Sequence, residues 1–230
     1  MIFSIIIPVY NESLNIKLLI DEIYNVVKYD NFEIIVINDC SNDNTLEILK
    51  KIKNKYQNFI YYTLDKRSGQ SFAIFKGAEL SKSNTIITLD GDGQNDPGDI
   101  ARLYNFYVNN NYQLLGGIRK KRKDNFIKKI SSKIANRIRS WILDDNCADT
   151  GCGLKIFDRK IFLSFPFFDG IHRFLPALYK GYGHNTYFID VNHRPRILGL
   201  SKYGTFKRTI NGINDIFLVR NIIRKFKNDK

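Results

Sequence analysis

Asp90 and Asp92 stand two positions apart, directly after the apolar run Thr85–Leu89. If that run is a strand, both carboxylates sit at its end and point into one crevice. Two anionic groups so placed repel each other unless a cation joins them. The ion that suits them is hard and divalent, Mg²⁺ or Mn²⁺, held by one or two carboxylates while substrate phosphates complete its shell. On the dipeptide alone, an Asp-Gly turn is the commoner reading. A second polar pair, Asn38-Asp39, follows the apolar run Phe32–Ile37 and could recognise a base or ribose, or simply cap a helix. The cations Arg119–Lys123 could cradle a phosphate, and are read equally well as a solvated charge run. His172 and His193 are each followed by Arg and are read as structural. Cys147 and Cys152 could form half a metal site, but no second Cys/His pair stands at zinc-ligand spacing, so buried thiols are preferred.

These residues need elements to hold them. Residues 1–118 alternate short β-branched runs with helical patterns: strands at Phe3–Val9, Phe32–Asn38, Phe59–Thr63, Thr85–Leu89 and Tyr112–Ile118, with helices between. That alternation predicts right-handed βαβ units and a mostly parallel sheet, in which ligands bind beyond the carboxyl ends of the strands. The polar clusters fall at those ends. After Ile118 the pattern predicts an amphipathic helix over about 126–143, a loop over 144–153, a strand at Leu154–Phe157, a helix at Gly170–Tyr182 and a strand at Thr186–Asn192. From Phe206 the apolar residues recur near helical spacing among Lys and Arg, predicting a basic amphipathic helix. We therefore expect a domain over 1–205, split into 1–118 and 119–205, and a helical tail over 206–230.

The charge follows the same division. The chain has 230 residues and a net charge of +13. Residues 1–118 carry 11 Lys and Arg against 14 Asp and Glu, whereas residues 119–230 carry 25 against 9. All the excess positive charge lies in the second half, which implies an anionic partner. A membrane-spanning helix needs about 20 mostly apolar residues, and the longest unbroken apolar runs hold four. The start Met1–Pro8 lacks the features of a signal peptide. Three cysteines are a sparse, odd set, which favours a reducing compartment. We expect a cytoplasmic protein, at most peripheral to a membrane.

The motifs in series resemble one family. Pro8-Val9-Tyr10-Asn11-Glu12, Asn38–Thr45, Gly69-Gln70 and Asp90–Pro97 are similar to the successive signatures of family-2 glycosyltransferases. Asp149–Lys155, His172–Leu178 and His193–Tyr203 narrow the resemblance to the polyprenol-phosphate branch, which includes dolichyl-phosphate mannosyltransferases. The resemblance implies an α/β fold of GT-A type, with a Rossmann-like nucleotide-binding half, and an inverting metal-dependent transfer from a GDP- or UDP-linked sugar. It implies that Asp90 and Asp92 hold the metal and diphosphate with Gln94 near them. Pro8, Tyr10, Glu12 and Asp39 would lie around the nucleoside. Many members have Asp-Asp where this chain has Asn38-Asp39, which leaves Asp39 as the base contact.

On the acceptor side, the resemblance points to Arg119, Lys129 and Ser132 as a phosphate cradle, with Asp149 orienting the nucleophile or completing the metal site. Lys129 stands where many relatives carry Arg, exchanging a fork for a point charge. Arg194, Arg196, Ser201 and Lys202 would close over the diphosphate, with Gly199 and Gly204 permitting movement. The implied acceptor, a polyprenyl monophosphate, is already largely dianionic near pH 7, its second pKa being about 6, and needs no general base. It would receive a hexose, mannose first, at the cytoplasmic membrane face. A glycan or small-molecule acceptor is the alternative. Many members append transmembrane helices beyond the point where this chain ends. We accordingly expect attachment to an anionic membrane surface through Phe206–Phe226, helped by a separate membrane protein partner. Residues 119–139 carry 10 Lys and Arg but no recognisable nucleic-acid motif, so nucleic acid is not an expected partner.

Overall fold

The hydrophobic runs assemble into one seven-stranded sheet in the order β3-β2-β1-β4-β6-β5-β7. The computed structural model describes residues 1–120, 137, 139–195 and 205–229, with side chains from 214 onward in the last stretch. The strands are β1 (Phe3–Val9), β2 (Phe32–Asn38), β3 (Phe59–Thr63), β4 (Thr85–Thr88), β5 (Leu114–Arg119), β6 (Lys155–Asp158) and β7 (Thr186–Val191). All run parallel except β6, which is antiparallel to both β4 and β5. Every residue of β2 is buried, as a strand covered on both faces requires. The predicted five-strand alternation is present, and so are the two later strands.

Helices cover both faces. The described ones are α1 (Ile16–Val26), α2 (Thr45–Lys55), α3 (Gln70–Leu80), α4 (Asp99–Asn109), α5 (Arg159–Ser164), α6 (Ile171–Gly181) and α7 (Thr205–Asn228). α1 buries Ile16, Leu19, Ile20 and Ile23, one face at helical spacing, into the larger core cluster. α3 approaches the sheet more closely because Gly77 has no side chain; a Cβ there would lie 2.5 Å from Ile6 Cγ2. The short α5 was not predicted. Asp158 caps it, accepting the Ile161 N–H at 2.9 Å. Of the predicted helix over 126–143, residues 139–143 are helical and 126–136 lie outside the described residues.

The register explains where a site can form. β1 and β2 end together, Val9 opposite Asn38, and β4 ends beside them with Thr88 opposite Ile6. The loops that follow therefore leave the sheet side by side. Because β6 is reversed, its first residue, Lys155, lies opposite Thr88 at the same edge. The predicted loop over 144–153 is thereby delivered onto the carboxyl ends of the parallel strands.

α7 does not stand apart as a tail. Val219 and Ile223 are buried in the second core cluster, with Ile216 and Ile222 packed against it. Phe226 stacks on Tyr182 with centroids 3.7 Å apart. Gly181 makes room for Ile223, since a Cβ there would lie 2.6 Å from it. Burying two such side chains contributes roughly 3–6 kcal/mol to docking. The apolar stripe that predicted a membrane contact is thus spent, in its described part, on the protein body. Phe217 and Leu218 remain exposed on other faces with Arg220, Arg224 and Lys225. Among the described residues, no helix is long and apolar enough to cross a membrane.

Candidate functional site

A cleft of about 630 Å³ opens over the carboxyl ends of the parallel strands. Pro8, Tyr10, Glu12 and Asp39 line one end of its wall. Asp90, Asp92 and Gln94 line the floor. Seven of the eleven residues expected around the donor are therefore brought to one place.

The nucleoside-side loops are laced together. The Asn11 backbone N–H donates to Ser41 Oγ at 2.9 Å, and the Asn42 N–H to Asn11 Oδ1 at 2.9 Å. Asn11 and Cys40 hold φ near +54° and +57°, a turn conformation that Asn tolerates better than most residues. Asp39 accepts the backbone N–H groups of Ser68 at 2.6 Å and Gly69 at 2.9 Å, fixing the loop that starts α3. A carboxylate has about four acceptor positions, so Asp39 keeps capacity for a ligand. Asn38 is fully buried, accepting the Ser41 N–H at 3.1 Å and donating to Thr63 Oγ1 at 3.4 Å. A neutral amide serves both contacts, which accounts physically for Asn rather than Asp here. The Arg67 guanidinium lies 4.0 Å from the centre of the Tyr10 ring, a cation–π contact at the mouth.

At the floor, Gln70 Nε2 donates to Asp90 Oδ1 at 2.8 Å, and the Gln94 N–H donates to Asp92 Oδ1 at 3.1 Å. Burial and the neighbouring Asp92 push the Asp90 carboxyl up to about 6, while Lys155, Arg119 and the Gln70 bond pull the other way. Gly153 is packed against Asp90; a Cβ there would lie 2.2 Å from Oδ2, so only glycine allows this approach. Among the described residues no third Asp, Glu, His or Cys joins the pair as a ligand cluster. Two carboxylates that disfavour each other's charge, open to a cleft, fit an ion completed by phosphates and water better than an all-protein cage.

Behind the other side of the cleft lie paired charges that do not line it. Arg119 donates to Asp149 through Nε at 2.7 Å and Nη2 at 2.7 Å, and its backbone N–H adds a bond at 3.2 Å. Asp149 is buried and Arg119 largely covered, so each neutralises the other, and neither lines the cleft. Arg194 is likewise engaged, with Asp96 at 2.6 Å and Glu22 at 2.8 Å, and does not line the cleft. Its segment is tied to the acidic loop by the Arg194 N–H to Gln94 O at 2.9 Å and by an Asn95–His193 bridge. Lys129, Ser132, Arg196, Ser201 and Lys202 lie outside the described residues, as do Lys121, Arg122 and Lys123 of the basic run.

Several lining residues were given no role by sequence. Lys155 is buried and donates to the carbonyls of Thr150, at 3.3 Å, and Cys152. His172 Nδ1 shares a proton with Ser71 Oγ at 2.6 Å, and Ser71 Oγ also accepts the Gly170 N–H at 2.8 Å. Asp169 and Arg173 complete this side. Placing Lys155 would have required knowing that β6 is reversed. Cys147 and Cys152 are buried free thiols, as preferred, and burial pushes each up to about 11.

A mostly parallel sheet with one reversed strand, and acids at the strand ends, is the GT-A arrangement. The chain superimposes on Mycobacterium tuberculosis glucosyl-3-phosphoglycerate synthase, solved with Mn²⁺, UDP and phosphoglyceric acid, with a TM-score of 0.69 at 14% identity, covering 95% of this chain and 76% of that one. Staphylococcus aureus TarS with UDP-GlcNAc gives 0.66 at 18% identity, covering 95% and 66%. The model for glycosyl transferase family 2 matches residues 4–165, and the chain belongs to that family. Among curated relatives, the undecaprenyl-phosphate 4-deoxy-4-formamido-L-arabinose transferase of Pectobacterium atrosepticum is 32% identical over 216 residues, 93% of this chain and 65% of that protein. The enzyme of the same name from Photorhabdus laumondii is 33% identical, covering 93% and 66%. The chain thus spans just under two thirds of the length of these relatives.

Proposed function

We propose that this protein moves a sugar, with inversion, from a nucleotide-sugar donor to a polyprenyl phosphate. The observation that carries the reading is the contrast within the cleft. Asp90 and Asp92 line the cleft and accept amide N–H groups, whereas Asp149, the acid expected nearest the acceptor, is neutralised by Arg119 and does not line it. An acceptor hydroxyl needs a base to take its proton. A phosphate monoester near pH 7 is already mostly anionic, its second pKa being about 6, and does not. The names of the relatives supply the same acceptor class.

In this reading Asp90 and Asp92 hold Mg²⁺ or Mn²⁺, which, when bound, stabilises the charge of the departing diphosphate. Asp39 and Tyr10 orient the nucleoside, with Gln70 and Gln94 fixing the two carboxylates. The sugar expected from the family resemblance is a hexose, mannose first, on a GDP or UDP carrier. The formamido-arabinose of the relatives makes a second donor arm. The protein works at the cytoplasmic membrane face, held by the outward residues of α7, with a separate membrane protein as partner.

The test is transfer by the purified chain from radiolabelled nucleotide sugars, with and without polyprenyl phosphate. Label should enter the lipid with one donor only. Lipid-independent transfer to a soluble sugar would instead establish the glycan or small-molecule alternative. Flotation with anionic vesicles checks the attachment, and a chain that stays at the bottom with them refutes it.

A further inference from the structure

Three described cations line the cleft, and they are not equally occupied. Arg67 is stacked on Tyr10, and Lys155 is turned toward backbone carbonyls. Arg173, in the first turn of α6, makes one ion pair, Nη2 to Asp215 Oδ2 at 3.0 Å, and its side chain is 32% exposed. Its Nε is buried without a hydrogen-bond partner among the described residues. Asp215 belongs to α7, so among the described residues this ion pair links the helix with the basic outer face to a cleft-lining cation. Gly170 makes the contact possible: its φ is +99°, and a Cβ there would lie 2.7 Å from Arg173 Nη2 and 3.1 Å from Asp215 Oδ2. Burial and the charge of Asp169 hold the Asp215 carboxyl above its ordinary value despite Arg173. This pair is looser than the two-pronged Arg119–Asp149 fork.

We infer that Arg173 binds a phosphate oxygen of the lipid acceptor and that Asp215 positions it, coupling α7 to the cleft. A guanidinium has five N–H donors in a rigid fork, and one contact to Asp215 leaves an edge for an oxyanion. Arg119 and Arg194, the described arginines expected to meet phosphate, already have carboxylate partners. The assignment rests on the transfer reading for the identity of the phosphate carrier, but binding can be measured without turnover.

The experiment titrates farnesyl phosphate, farnesol and inorganic phosphate into the full-length chain and into Arg173→Gln, Asp215→Asn and Asp215→Glu. Thermal unfolding and Mn²⁺ affinity, both unchanged within twofold or a few degrees, report intact variants. Arg173→Gln should weaken farnesyl phosphate about 10- to 100-fold, the loss of one charge-assisted hydrogen bond, and leave Mn²⁺ in place. Asp215→Asn should weaken it by less, with Asp215→Glu recovering part, which a merely structural role would not do. Equal binding by Arg173→Gln, or no binding of farnesyl phosphate by the wild type, overturns the assignment. Binding of inorganic phosphate as tight as farnesyl phosphate overturns the lipid part of it. A wild type that binds farnesyl phosphate through Arg173 but never glycosylates a polyprenyl phosphate keeps this inference and refutes the transfer reading.

Discussion

The strand-end side of the cleft and the ion pairs packed behind its other side handle charge in opposite ways. Where β1, β2 and β4 end, carboxylates are held by amides and by each other: Asp39 by two backbone N–H groups, Asp90 by a glutamine beside another aspartate. Behind its other side, in the half with the excess of Lys and Arg, three carboxylates meet arginines: Asp149 with Arg119, Asp145 with Arg139, Asp215 with Arg173. Net charge by segment therefore misstates the field inside the site. The acidic wall keeps its charge available, and the paired side has neutralised much of its own. An amide-held carboxylate can still bind a cation, while a forked one has become scaffold.

Breaking the acidic wall should cost activity and not stability. Asp92→Ala removes half of the metal pair and one of the repulsions that burden Asp90. We expect transfer to fall at least about 10²–10³-fold, the scale for losing a main source of transition-state charge stabilisation. Mn²⁺ should raise the melting temperature of the wild type and not of the variant. A fully active Asp92→Ala enzyme sinks the metal assignment. Breaking the paired charges should do the reverse. Arg119→Ala leaves Asp149 buried and uncompensated, which costs about 3–5 kcal/mol in urea unfolding. An apolar replacement of both, Arg119→Met with Asp149→Leu, should recover most of that. If Arg119→Ala is as stable as the wild type, the fork is not the scaffold described here.

The same division decides what was legible beforehand. Asn38-Asp39 and Asp90–Asp92 could be read because their chemistry is local: each cluster directly follows an apolar run, and parallel strands gather such ends together, while Pro8, Tyr10, Glu12 and Gln94 came from the family resemblance. The paired charges could not be read this way. Asp149 lies 30 positions from Arg119, while Arg194 reaches Asp96 across 98 positions and Glu22 across 172. Sequence spacing shows that these charges exist, not which of them cancel. The amphipathic stripe of α7 was equally ambiguous, because a lipid surface and a protein core select the same periodicity. The stacking of Phe226 on Tyr182 and the burial of Val219 and Ile223 show that the described part of the stripe faces the protein core. α5 escaped notice because six residues hold under two turns of pattern, and its cap, Asp158, is also the last residue of β6.

The smallest predicted effect concerns a carboxylate far from the cleft whose surroundings are the opposite of Asp90's. Asp21, on α1, accepts hydrogen bonds from Lys17 at 2.6 Å, Lys55 at 2.9 Å and Tyr56 at 2.8 Å. Its partial burial raises its pKa, but those three bonds outweigh it and bring the carboxyl down to about 2. A depressed folded pKa means that the unfolded chain binds the proton first. The stabilisation is complete above the ordinary value of 3.8 and is lost as pH falls through about 2. Both lysines are more than half exposed, so screening limits the contribution at neutral pH to about 1 kcal/mol or less. Asp21→Asn should therefore change urea unfolding little at pH 6 and flatten its decline below about pH 4. An unchanged acid limb would mean that solvent, rather than Lys17, Lys55 and Tyr56, sets the charge of Asp21. The contrast between a carboxylate set by its hydrogen-bond donors and one set by burial beside another acid would then rest on Asp90 alone.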